Sequence, residues 1–235
     1  MDRPEAPELR LVEVVDERTP LARAAFELIH DSMWDVAPLD YQLAELEETR
    51  RGLAEGGDFH LLALVDEEGE PAAAACGVYL EAVNAGFITY LAVREDLRNR
   101  RLGRELRAHL VEAFRAEARR KRGADLAWVV GEVRRESPWL RTLVQGGRAI
   151  AFDVPYFHPW LPLRAEGRYV LYREPITDRR AELPSAEVAA LLRAIWQRAY
   201  GIRSPLQRDT FHYMLRHLEG RATIGADPGF APPGS

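Results

Sequence analysis

Four arginines, an asparagine and a glycine crowd into Arg98-Asn99-Arg100-Arg101-Leu102-Gly103-Arg104. Cations at that density, set beside the backbone N–H groups that a tight turn leaves exposed, can hold a phosphate. Asn99 tolerates a left-handed backbone better than most residues. Gly103 removes a Cβ where phosphate and backbone must approach. The plainer alternative is that Arg98, Arg100, Arg101 and Arg104 form a solvated charged face, as charge runs often do.

The flanking residues favour the first reading. Ile88-Thr-Tyr-Leu-Ala-Val93 is β-branched, aromatic or apolar throughout, as a buried strand requires. After the turn, Leu102, Leu106, Leu110, Ala113, Phe114 and Ala118 recur at helical spacing and make one apolar stripe. Arg119, Arg120, Lys121 and Arg122 fall where cations suit the helix dipole, and Gly123 supplies the stop. A strand feeding a helix through such a turn is a place to hold an anion.

Leu91-Ala92-Val93, the arginine turn and the helix together resemble motif A of the GNAT superfamily of acetyl-CoA-dependent N-acetyltransferases. That family's pattern is R/Q-x-x-G-x-G/A, after a strand ending in an apolar-Val pair and before a long helix. Arg98 stands at the leading position and Gly103 at the last, while Arg101 occupies the place of the usual first glycine. If Arg101 must take the glycine geometry, the turn is strained or altered. If its side chain swings outward, it adds a charge toward the phosphates. The resemblance covers roughly Leu9 to Arg173.

The surrounding elements fit that arrangement. Leu9–Val15 alternates toward a strand, and Thr19-Pro20 offers an N-cap and first-turn proline for a helix through about Ser32. Its apolar stripe reads Leu21, Ala24, Ala25, Leu28 and Ile29. Asp40 to about Leu53 reads as a second helix with Leu43, Leu46 and Leu53 inward. Phe59–Val65 and Pro71–Tyr79 are strands joined by the turn Asp66–Glu70, and the central strand begins at Phe87. Leu126–Val133, a short helix Trp139–Val144, and closing strands Ala149–Asp153 and Arg168–Arg173 follow, the last two separated by the aromatic connection Val154–Pro162. The fold class is therefore α/β: a GNAT-like mixed, mostly antiparallel central sheet flanked by helices, with a C-terminal helical extension. The division is a loose N-terminus over 1–8, an acyltransferase domain over 9–175, a helical pair over 176–219 and a disordered tail over 220–235. The helical pair carries apolar stripes at Val188, Leu191, Leu192, Ile195, Trp196 and Ala199, then at Phe211, Met214, Leu215 and Leu218. It serves packing, narrows an acceptor cleft or makes a homodimer contact.

The resemblance implies acetyl-CoA as co-substrate, an amine-bearing partner and no metal. Transfer then needs the pyrophosphate held, the thioester carbonyl polarised, the amine neutral and the thiolate protonated. N–H groups of about Arg100 to Arg104 would face the pyrophosphate, and the backbone of Leu91, Ala92 and Val93 would pair with pantetheine and polarise the carbonyl. The family's central-strand Glu has no counterpart, since Thr89 stands there, so Glu132 is the replacement base, with Glu81, Glu136 and His158 as alternatives. The family's tyrosine before Gly-Phe is missing from Leu140–Gly147, so Tyr156 is the nearest replacement, either protonating the thiolate or only lining the pocket. Trp34, Asp35, Tyr41, Glu132, Glu136 and the Tyr156–Trp160 loop would line the acceptor cleft.

The bulk numbers bound these readings. A formal charge of −5 over 235 residues argues against bulk nucleic-acid binding, although arginines cluster locally at 98–107 and 119–122. Cys76 is the one cysteine, so no internal disulfide forms and a reducing cytoplasm is the expected home. No apolar run reaches membrane-spanning length and no signal peptide is visible. The rival functions are a non-catalytic CoA-binding regulator, a nucleic-acid binder using the two arginine clusters, and transfer of a longer acyl chain.

Overall fold

The computed structural model describes residues 8–161 and 168–230. Residues 1–7 of the expected loose N-terminus, Pro162 at the end of the aromatic connection, and 231–235 of the expected tail lie outside the described residues. The order is β1 (Arg10–Glu13), α1 (Pro20–Ser32), α2 (Leu39–Arg50), β2 (Phe59–Val65), β3 (Pro71–Leu80), β4 (Ala85–Val93), α3 (Leu102–Arg122), β5 (Trp128–Val133), α4 (Pro138–Gln145), β6 (Ile150–Ala151), β7 (Tyr156–Phe157) and β8 (Arg168–Pro175). It continues with β9 (Leu183–Pro184), α5 (Ser185–Ala194), α6 (Asp209–Arg216) and β10 (Thr223–Ile224). Eight strands form a mostly antiparallel sheet in the order β1-β2-β3-β4-β5-β8-β6, with β7 on β8, and helices flank it. This is the expected fold class.

Two compact units divide the chain: Met1–Val78 with Ile88–Ala113, and Tyr79–Phe87 with Phe114–Ser235. In the first, Thr19 caps α1 as its sequence demands, its Oγ1 accepting the Ala22 N–H at 3.2 Å. The buried face of α1 is Ala22, Ala25, Phe26 and Ile29, one residue out of phase with the expected stripe, so Leu21 and Leu28 flank the core and Phe26 fills it. These residues pack with Leu46 of α2, the alternate side chains Phe59, Leu61, Ala63 and Val65 of β2, and Tyr90 and Ala92 of β4. Each fully buried large apolar side chain there contributes roughly 1.5–3 kcal/mol. Leu53, expected inward, is 56% exposed, because α2 ends at Arg50 and the chain reverses at Gly52.

In the second unit β5 pairs β8, bringing Glu132 opposite Leu171 and Val130 opposite Arg173. Arg173 is fully buried, its guanidinium over the rings of Trp128 and Phe152 and bonded to the carbonyls of Arg180 and Ala181. The aromatic connection is partly a strand, with Tyr156 paired to Tyr169. A core of Leu140, Leu143, Ala149, Ala151, Val170 and Tyr172 also takes Phe230. The disorder expected from Gly220 is therefore corrected through Phe230. β10 pairs β9, the Asp227 N–H bonds the Ala151 carbonyl, and Arg135 pairs with Asp227 at 2.7 Å. Burying one aromatic ring offsets the flexibility that Pro and Gly suggest. After α5 the chain makes a π-helical turn, Ile195–Ala199, before α6. No helix among the described residues is long and apolar enough to cross a membrane.

Candidate functional site

The arginine turn is anchored at both ends by backbone bonds. The Arg94 N–H reaches the Ala72 carbonyl at 2.9 Å, and a 3-10 turn over Glu95–Leu97 buries Leu97. Arg98 is extended and donates Nε to the Val93 carbonyl at 3.3 Å. Asn99 and Arg101 then both stand in the left-handed region at φ +67°. For Asn99 this is ordinary; for Arg101 it costs about 1–2 kcal/mol relative to a right-handed residue. The arginine thus holds the backbone geometry of a glycine, and its side chain is exposed. Left-handed residues in a turn are the setting in which successive backbone N–H groups can form an anion-binding concavity.

The Arg101 carbonyl accepts the N–H groups of Arg104 at 3.0 Å and Glu105 at 3.1 Å, which starts α3. The Arg104 N–H, expected as an anion donor, is therefore already used, and the donor set contracts to the residues before it. Arg100, Arg101 and Arg104 form no ion pair among the described residues, and all are exposed. The neighbouring Arg94 is different, bound by Asp66 at 3.0 Å and Asp96 at 2.9 Å. Gly103 also has another reason than the expected one. A Cβ there would lie 3.0 Å from Leu91 Cδ2 and 3.4 Å from Val93 Cγ2, so the glycine lets the helix start approach the strand. Leu91 and Val93 are half-buried, and Ala92 belongs to the core with Tyr90.

A separate cluster lies in the second unit. Glu132 is on the same face of β5 as Trp128 and Val130 by alternation, and its side chain is only 5% exposed. Tyr200, at the end of the π turn, approaches Glu132 Oε1 at 2.6 Å. His158 Nε2 lies 3.6 Å from the same oxygen. His158 Nδ1 accepts the backbone N–H of Trp160 at 3.3 Å. A ring nitrogen that accepts carries no proton, so the proton of the neutral imidazole is on Nε2, facing Glu132. The Tyr200 hydroxyl therefore donates to Glu132 Oε1, while His158 Nε2 faces the same oxygen from beyond hydrogen-bond distance. Aromatic rings wall the cluster: Tyr200 meets Phe87 edge-on at 6.0 Å and His158 at 4.9 Å.

The structure therefore distinguishes the sequence candidates. Glu132 and His158 come together, His158 Nε2 lying 3.6 Å from Glu132 Oε1. Tyr156 is fully buried on β7. Glu136 is exposed, and Glu81 lies 3.8 Å from Lys121 Nζ. The Thr89 hydroxyl is buried with no hydrogen-bond partner among the described residues. Cys76 is buried, and burial pushes its thiol up, away from nucleophilic use. Tyr200 escaped sequence reading, since nothing near it marks a residue that bonds 68 positions upstream. The burial of Glu132 did leave a signal, a carboxylate in step with the inward Trp128 and Val130.

Residues 23–129 match the family model described as the acetyltransferase (GNAT) family. No curated protein matches the chain. Among solved structures, a protein assigned to the GNAT acetyltransferase family from Desulfovibrio desulfuricans superposes with a TM-score of 0.51 at 18% identity, covering 72% of this chain and 99% of its own. The NatC complex bound to Gag peptide and CoA gives a TM-score of 0.51 at 16% identity, over 71% of this chain and 99% of that one. A protein assigned as an acetyltransferase from Acinetobacter baylyi ADP1 gives 0.51 at 14% identity, over 74% and 96%. Residues 23–129 are thus similar to the GNAT acetyltransferase family, and at these identities the superpositions speak to fold alone.

Proposed function

With the similarity of residues 23–129 to the GNAT acetyltransferase family as the premise, we propose that the protein transfers an acetyl group from acetyl-CoA to an amine, with the arginine turn holding the coenzyme's pyrophosphate. The observation that carries this is the turn itself: Arg101 held left-handed, with Arg100, Arg101 and Arg104 exposed and without ion pairs among the described residues at the head of α3. Cations at a helix N-terminus oppose the helix dipole, and a bound anion removes that conflict. Donors are the N–H groups preceding Arg104, with Arg98, Arg100, Arg101 and Arg104 as charges. The backbone of Leu91, Ala92 and Val93 is the proposed partner of the pantetheine arm, and its N–H groups polarise the carbonyl.

Acetyl-CoA supplies an activated thioester whose C–S bond breaks as the C–N bond forms. A proton must leave the amine and one must reach the departing sulfur. Glu132 is the proposed acceptor of the amine's proton, directly or through one water, because the Tyr200 hydroxyl donating to Oε1 favours its ionised form. Tyr156 stays the candidate acid, its full burial requiring a proton path through its neighbours. The acceptor's identity as a small molecule and a cytoplasmic setting belong to the same proposal.

Calorimetric titration with acetyl-CoA, followed by a free-thiol assay over an amine panel, tests the reading. Micromolar binding, CoA release with at least one amine, and a kcat about 10²–10⁴-fold lower in Glu132→Gln are expected. Binding without release over the panel would favour a non-catalytic CoA-binding protein, and absence of binding would end the coenzyme assignment.

A further inference from the structure

We propose that Tyr200, on the C-terminal segment beyond the matched 23–129 stretch, is a positioning residue for the transfer: its hydroxyl holds Oε1 of Glu132 and keeps that carboxylate oriented and ionised. The proposal deepens the transferase reading above and rests on it for its catalytic consequence.

Three observations support it. The 2.6 Å separation is on the short side for O–H···O, as expected when the acceptor is charged. An ionised carboxylate only accepts, so the phenol must be the donor. Second, the side chain of Glu132 is 5% exposed, an environment that by itself drives a carboxyl toward its neutral form. Donors must offset that burial. The Tyr200 hydroxyl is such a donor, at 2.6 Å from Oε1, whereas the His158 N–H at 3.6 Å is too far for a full hydrogen bond. Third, Tyr200 is delivered by the π turn Ile195–Ala199, with the Ile202 N–H returning to the Trp196 carbonyl at 2.9 Å. Such turns are rare and concentrate where a side chain must be re-aimed for function. The ring is independently fixed by edge contacts with Phe87 and His158, so the hydroxyl arrives with little freedom left to lose.

The test is Tyr200→Phe beside Glu132→Gln and the unmodified protein. Phenylalanine keeps the ring contacts and removes only the hydroxyl. We expect the acetyl-CoA Kd and acceptor KM to stay within about twofold, while kcat falls about 10- to 100-fold, the worth of one hydrogen bond to a charged group. The acid limb of the pH–rate profile moves to higher pH, because loss of a donor disfavours the carboxylate. A readout independent of turnover is infrared titration, with the Glu132 carboxylate band assigned by difference against Glu132→Gln. That band should also appear at higher pH in Tyr200→Phe. Unchanged kcat and acid limb in a folded Tyr200→Phe, or a fall in melting temperature with no change per folded molecule, would overturn the proposal. Should no amine be acetylated, the transferase reading fails alone, and the infrared titration still decides whether Tyr200 holds Glu132 ionised. Should Tyr200→Phe not fold, 3-fluorotyrosine at position 200 substitutes for it. Its more acidic hydroxyl is a stronger donor and must move the band to lower pH.

Discussion

The two ends of α3 carry the same kind of side chain under opposite conditions. At its start, Arg100, Arg101 and Arg104 stand where the helix dipole is positive, exposed and without ion pairs among the described residues. At its finish, where the dipole favours cations, every basic residue has a partner. Arg115 and Arg119 bind Asp125, Arg120 and Lys121 meet Glu117, and Arg122 donates to the Glu81 carbonyl at 2.6 Å. Cations that are paired and aligned with the dipole explain themselves as structure. Cations left without ion pairs among the described residues and set against it stand at some electrostatic cost, which a bound anion would offset.

The comparison breaks most readily by moving charge. Replacing Arg100, Arg101 and Arg104 together by Ala should weaken acetyl-CoA binding about 100-fold, at about 1 kcal/mol for each exposed charge-assisted contact. Replacing Arg119 and Lys121 by Ala should leave that Kd within about twofold and instead lower the melting temperature, since Glu117 is then buried with a weaker partner. Calorimetry and thermal melts on both sets give the answer, and equal losses of binding at the two ends would erase the distinction.

A smaller effect should appear in the acid range at the C-terminal end. The Arg115 guanidinium, helped by the Leu126 N–H, holds the Asp125 carboxyl well below the usual range. Its folded value is depressed, so its contribution to stability is complete above the unfolded value of about 4 and declines as pH falls toward the folded one. Asp125→Asn should therefore melt lower than the parent at pH 7, with the gap closing below about pH 4. A gap independent of pH would show that shape, and not charge, ties this end down. The smallest effect concerns Arg101→Gly. Relief of the left-handed backbone, reduced by glycine's greater chain entropy, should raise stability by up to about 1 kcal/mol. That is roughly 2–4 °C in melting temperature. The same change should weaken coenzyme binding slightly through the lost charge.

What the sequence made legible was local. Thr19-Pro20 placed the start of α1, the Asp66–Glu70 turn placed the β2–β3 hairpin, and Gly123, at φ +65°, placed the end of α3. Each signal sits beside the structure it dictates. The phase of α1 was missed because Phe26 competes with Leu21 and Leu28 for one face, and only the packed partner decides. Folding of the tail through Phe230 was missed because its composition suggests flexibility, while the pocket that captures it comes from α4 and β8. For the candidate site the same division holds. The turn was visible in one stretch, down to the question of how an arginine would occupy a glycine's place. Tyr200 and Glu132 are joined only by tertiary structure, so no window along the chain contains both.

The π turn gives this dependence a genetic form. A π turn is an α-helix with one residue too many, so single-codon deletions within 195–199 would let an ordinary helix form. Every residue beyond the deletion would then rotate by about 100° around the axis. Tyr200 would leave Glu132 although no residue of the cluster had changed. Substitutions along this segment should be tolerated according to burial alone, whereas changes in its length should not. Relatives that differ here by one residue would then be expected to have found another donor for the carboxylate.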